Sequence, residues 1–194
     1  MDAMVGFGPK QAWLAIRDTE PEAVIAALGL QDLGPVGWRL GIDLAHQTDD
    51  RPAVTPLLPG AGAHDWVLVA GQRFLHTDPR VAALSETLRT EVQLFSTYRV
   101  DERHRWQRAV DGVMVRAFDY VGRSGEIALW WGDPDEHERA LGLPETEPDN
   151  DELDIILDET DVMRLAAAWS IDPTSLDGKP APGPLRSAAA QRDT

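Results

Sequence analysis

A passage that occurs twice limits this chain more than any other feature. Trp13-Leu14-Ala15-Ile16 leads into Glu20-Pro21-Glu22-Ala23-Val24-Ile25-Ala26-Ala27-Leu28 and then a further apolar run from Val36. Trp66-Val67-Leu68-Val69 leads in the same way into Asp78-Pro79-Arg80-Val81-Ala82-Ala83-Leu84 and then Val92 to Val100. Both passages read as strand, acidic residue plus Pro, helix, strand, at a spacing typical of internal duplication. The expectation is an α+β fold: a mainly antiparallel sheet of duplicated β-α-β-β units spanning 12–58 and 66–131. Its helices are expected to pack on one face.

Local signals fill in this outline. Thr19 is placed to cap the first helix, with Glu20 and Glu22 in its first turn and Gly29 as its stop. Trp38, Leu40, Ile42 and Leu44 alternate with polar or small residues, which predicts a strand over 36–44. Pro52 and Pro56 confine any strand at 54–58 to a sheet edge. A helix is expected over 79–88. An antiparallel meander over 92–131 follows, with Asp111-Gly112 as the strongest hairpin signal. Asp133 is the expected cap of a short helix beginning at Pro134, and a last helix over 159–169 carries the apolar stripe Val162, Leu165, Ala166 and Trp169. Residues 1–10 read as a loose lead-in, 11–176 as one domain with a helical part at 133–176, and the Pro-, Gly- and Ala-rich stretch 177–194 as a disordered tail.

Composition narrows function mainly by exclusion. The net charge of −15 disfavours nucleic acid and anionic membrane and favours encounter with a basic protein. No apolar run approaches the ~20 residues that span a bilayer. Met1-Asp2-Ala3-Met4 lacks a basic n-region, so a cytoplasmic location is expected. Without cysteine there is no disulfide, thiolate metal site or Cys nucleophile. The five histidines, His46, His64, His76, His104 and His137, lack the spacing of a zinc site. The acidic stretch Asp149 to Asp161 lacks the glycine and final Glu of a calcium loop. Neither metal nor cofactor is expected. Paired units of this kind also build the metal cup of vicinal-oxygen-chelate enzymes, but the first strands here carry no His or carboxylate. No nucleophile elbow or phosphate-binding glycine loop is present.

Two groups of residues remain as candidates. On strands, His104, Trp106 and Arg108 share one face, and so do Arg116, Phe118 and Tyr120 across the Asp111-Gly112 turn. An enzyme or small-ligand module would use His104, Arg116 and Tyr120 to line a cleft over the meander; the simpler assignment is cross-strand pairing and cation–π stacking. The second group is outward-facing. Trp130 and Trp131 are adjacent, so one indole must turn away from the core and is available as an interface anchor. Residues 145–161 then carry nine acids and no base. Among them Glu145, Glu147, Asp149, Asp151, Glu152 and Asp154 form the expected binding surface.

Glu91-Val92-Gln93-Leu94-Phe95, Tyr98-Arg99-Val100, Trp106 before Asp111-Gly112, Arg116-Ala117-Phe118, Gly125-Glu126, Glu138-Arg139-Ala140-Leu141-Gly142 and Trp169-Ser170-Ile171-Asp172-Pro173 occur in that order. The series resembles a group of uncharacterised bacterial proteins common in high-GC genomes. It covers roughly the second half of the chain, implies a bacterial cytoplasmic protein and brings no functional residue with it. The expected function is therefore a non-enzymatic acidic binding protein, most concretely an immunity-type inhibitor of a basic toxin or nuclease. The alternative is an enzyme with its cleft over 92–131.

Overall fold

Hydrogen bonding draws ten strands into one sheet in a computed structural model that describes residues 2–149 and 155–191. In chain order the elements are β1 (Ala12–Arg17), α1 (Pro21–Ala27), β2 (Leu30–Val36), α2 (Trp38–Gln47), β3 (Ala53–Val54), β4 (Leu58–Pro59) and β5 (Asp65–Ala70). There follow α3 (Arg73–His76), α4 (Val81–Leu88), β6 (Glu91–Tyr98), β7 (Arg103–Val110), β8 (Val113–Val121) and β9 (Glu126–Trp131). The chain ends with α5 (Glu136–Ala140), α6 (Glu159–Trp169) and β10 (Leu185–Ala190). The strands lie in the order β2-β10-β3-β5-β1-β6-β7-β8-β9, with β4 attached to β5, and every pairing is antiparallel. The protein is thus α+β with an antiparallel sheet.

The doubling in the sequence corresponds to a split β-α-β plan. The strands β1 and β5 pair at the centre of the sheet, and each is followed by a helix and then by a strand parallel to it but separated from it. Their helices, α1 and α4, share one face of the sheet. The other face is not bare, in contrast to the expected one-sided packing. Because alternate strand residues point to opposite faces, Leu14 and Ile16 pack with Val24 and Ile25 of α1 and Leu84 of α4, whereas Trp13 and Ala15 pack with Trp38 and Ile42 of α2 and Leu165 and Trp169 of α6. The strand β1 is buried along almost its whole length for this reason.

Three expected elements are corrected. The 36–44 segment is not a strand: β2 ends at Val36 and α2 begins at Trp38. Its apolar residues fit two periods at once, and burial selects the helical one, with Trp38, Gly41, Ile42 and Ala45 inside and Leu40 exposed. A side chain at position 41 would approach Leu185 Cδ1 to 2.8 Å, so glycine there lets α2 lie close to β10. The strand β3 is interior rather than at an edge, because its ladder involves only Ala53 and Val54 and the flanking prolines fall outside it. Finally, the tail is not disordered over its length. The segment 185–190 is β10, inserted between β2 and β3, with Leu185 and Ala188 fully buried. Residues of this type carry little strand signal of their own, and pairing on both sides decides their state.

The meander, by contrast, matches its sequence pattern. Asp111 (φ 48°) and Gly112 (φ 85°) take the two left-handed positions of the tight turn joining β7 and β8. A chain ending at Pro184 is predicted to lose stability comparable to the whole ~5–15 kcal/mol of such a domain. Urea denaturation followed by circular dichroism checks this; an unchanged midpoint would restore the disordered-tail reading.

Candidate functional site

Register across the meander brings together the side chains expected to share a face. His104 lies opposite Tyr120, Trp106 opposite Phe118, and Arg108 opposite Arg116. The alignment continues through the sheet: Trp13 is opposite Phe95, Phe95 opposite Trp106, and Phe118 opposite Trp130. The result is a row of aromatic rings across five strands, with Trp13 stacked on Phe95 at 5.3 Å and Trp106 on Phe118 at 4.4 Å. Phe118 meets Trp130 edge-on at 5.8 Å, and Trp169 reaches Phe95 from α6. Such contacts contribute about 0.5–1.5 kcal/mol each beyond burial.

The expected cleft is filled by the residues above this row. Arg116 is 3% exposed, and its Nε donates to Glu138 Oε1 at 2.7 Å. Its Nη1 donates to the carbonyls of Trp131 and Gly132, both at 3.0 Å, and its guanidinium lies 4.4 Å from the Trp130 ring. Trp106 Nε1 donates to the same Glu138 oxygen at 2.7 Å. Tyr120 Oη donates to the Ile155 carbonyl at 2.8 Å. His104 is buried with Nδ1 unpartnered among the described residues, and burial holds its pKa below the usual histidine value against the raising influence of Glu159, Asp158, Asp161 and Glu102. His104 borders a shallow depression with Arg99, Asp158 and Glu159 that Arg116 and Tyr120 do not border. The three expected catalytic residues therefore do not converge: Arg116 Nε and Nη1 and Tyr120 Oη donate to protein groups, Arg116 Nη2 has no partner among the described residues, and His104 borders its depression without the other two. Alternation along β7 and β8 correctly gave their shared face, but the cover over it comes from α5, α6 and the segment at Ile155, remote in sequence.

Glu138 is held by a helix cap two residues later than the sequence suggested. Asp135, not Asp133, caps α5: its Oδ1 accepts from the backbone N–H groups of His137 and Glu138, while Glu138 Oε2 accepts from the Asp135 N–H. This reciprocal capping box makes a five-residue helix viable and aims Glu138 at Arg116. Asp135 Oδ2 also accepts from Trp169 Nε1 at 2.7 Å, which ties α5 to α6.

The outward-facing candidates are divided differently. Trp130 turns inward, and Trp131 is 59% exposed on β9, the last strand of the sheet. The Trp131 Nε1 donates to the Met114 carbonyl at 3.1 Å, which lays the indole along β8 beside the exposed Val113 and Val115. Leu129, two residues earlier on β9, is exposed as well. Sequence reasoning missed these three, although the alternation of β8 and β9 carried the signal. Glu145, Glu147 and Asp149 are exposed; Asp151, Glu152 and Asp154 lie outside the described residues. Comparisons with protein-family models, curated proteins and solved structures find no match.

Glu138→Ala is predicted to cost about 3–5 kcal/mol, because it strands a buried guanidinium. The double variant Arg116→Met/Glu138→Leu should recover most of that loss in urea denaturation. Additive losses would show that the pair is not coupled.

Proposed function

We infer that the protein acts by binding another protein, and that its partner is basic. The observation that carries this reading is Trp131, exposed beside Val113, Val115 and Leu129 on a strand whose outer backbone edge has no partner strand among the described residues. Large rigid aromatics flanked by smaller apolar side chains are the usual source of interface energy, and an open strand edge offers main-chain hydrogen bonds to an incoming segment. The charge of −15, with Glu145, Glu147 and Asp149 at the surface, selects a partner of opposite sign. The narrowest form of the reading is a cytoplasmic inhibitor of immunity type, whose carboxylates occupy the phosphate-binding cleft of a basic toxin or nuclease.

An enzyme with its cleft over the meander draws less support, since Arg116 Nε and Nη1 and Tyr120 Oη are spent on Glu138 and on backbone carbonyls. Among the described residues no helix is long and apolar enough to cross a membrane.

Affinity isolation on the immobilised full chain is expected to retain a basic protein whose binding weakens steeply with salt. Trp131→Ala should weaken that binding about 30-fold or more, as expected for a central aromatic anchor, while changing stability by no more than about 0.5 kcal/mol. A partner that is not basic, or retention indifferent to Trp131→Ala, would contradict the inference.

A further inference from the structure

A second polar cluster lies at the opposite end of the β1–β6–β7 ladder from His104 and takes no part in the surface described above. Its centre is Glu91, the first residue of β6 and 3% exposed. Glu91 Oε2 accepts from Arg17 Nη1 at 3.1 Å, and Oε1 accepts from Arg108 Nε at 2.6 Å and from Gln93 Nε2 at 2.7 Å. The two arginines come from different strands and meet at one buried carboxylate. Arg108 also lies 5.5 Å from the centre of the Trp169 ring, a cation–π contact that restricts its plane.

Both guanidiniums border a pocket of about 400 Å³, walled by Trp66, Trp169, His64 and the start of α5. Each oxygen of Glu91 is occupied, and so is each oxygen of Asp135. The Glu136 carboxylate is 81% exposed, and among the described residues its ion-pair neighbour is His137 Nε2, at 3.8 Å. Among the described residues Arg17 and Arg108 each spend a single N–H group on protein, and their side chains remain 30% and 34% exposed. His64 donates or shares Nδ1 with Asp18 Oδ2 at 2.7 Å, and Asp18 is itself fixed by the Asp65 N–H. The ring is thus oriented, and Nε2 has no protein partner among the described residues. The pocket therefore has donors left over, and of the carboxylates that border it Glu91 and Asp135 are already paired; the Gln93 Oε1 behind Glu91 is buried without a partner among the described residues, and Gln93 is not part of the pocket wall.

We propose that this pocket binds an oxyanion, the phosphate or carboxylate group of a small-molecule ligand, gripped by the outer N–H groups of Arg17 and Arg108 with His64 beside it. Guanidinium forks match the geometry of such groups. The Glu91 carboxylate and the Trp169 ring hold those forks in place before a ligand arrives, which removes part of the ordering cost of binding. A buried carboxylate between two half-exposed arginines also prevents the pair from repelling each other when the site is empty. This site is separate from the Trp131 edge, and its occupancy is independent of whether a protein partner exists.

The test is NMR of the full chain, following the arginine Nε–Hε signals while inorganic phosphate or succinate is added at constant ionic strength set by chloride. Saturable shifts at Arg17 and Arg108, with the exposed Arg123 signal unmoved, are expected for at least one of the two anions. Whichever saturates at lower concentration identifies the ligand as phosphate- or carboxylate-bearing. Arg108→Lys keeps the charge but removes the fork, and should weaken binding about tenfold. Non-saturating shifts, shifts shared equally by Arg123, or affinity unaltered by Arg108→Lys would overturn the proposal. The wild-type mapping alone decides it if the variant does not fold.

Discussion

The contact between Arg116 and Glu138 determines what the C-terminal half of this sheet presents and what it conceals. Two full charges taken out of water are tolerable only when most of their remaining hydrogen-bonding groups are also satisfied, and of the Arg116 nitrogens Nη2 alone has no partner among the described residues. Here the guanidinium donates to Glu138 and to the carbonyls that end β9, while Glu138 accepts from Trp106 and from the Asp135 N–H. A single ion pair therefore connects β7, β8, the end of β9 and α5. It fixes the exit of the chain from β9, and with it the outward turn of Trp131.

Below the ion pair, the aromatic row supplies the apolar support. Five strands contribute one large ring each in a continuous register, and Arg116 lies over Trp130 and Phe118 as part of the same stack. Most polar groups on this face are bonded within the protein; His104 Nδ1 and Arg116 Nη2 are buried without a partner among the described residues. Chemistry accessible from solvent is pushed elsewhere: to the apolar edge at β9 and to the arginine-lined pocket beside Glu91. The face that looked most like an active site in the sequence is the interior of the protein.

Legibility of the sequence followed the range of the interactions involved. The meander, its Asp111-Gly112 turn and α6 were readable because each is specified by neighbours: alternation, two residues with φ above zero, and a stripe of Val162, Leu165, Ala166 and Trp169 at helical spacing. The same alternation gave the shared face of His104, Trp106 and Arg108. What it omitted was the cover. Glu138 reaches Arg116 across 22 residues and Trp106 across 32, and no local pattern announces either contact. Strand β10 was unreadable for a related reason, since its Ala-rich residues become a strand by insertion between β2 and β3. In α2 two periodicities coincided, and packing against Leu185 selected one. The Glu91 pocket escaped notice because its groups come from β1, β6, β7 and the loop at His64, which the sheet brings together.

Exchange of the indole protons tests the central claim most directly. In ¹H–¹⁵N spectra of the full chain moved into D₂O, the Trp106 Nε1 proton, buried against Glu138, should persist long after that of the exposed Trp131 has vanished. Loss of the two signals at the same rate would show that the Arg116–Glu138–Trp106 network does not close this face of the sheet, and the account built on it would fail.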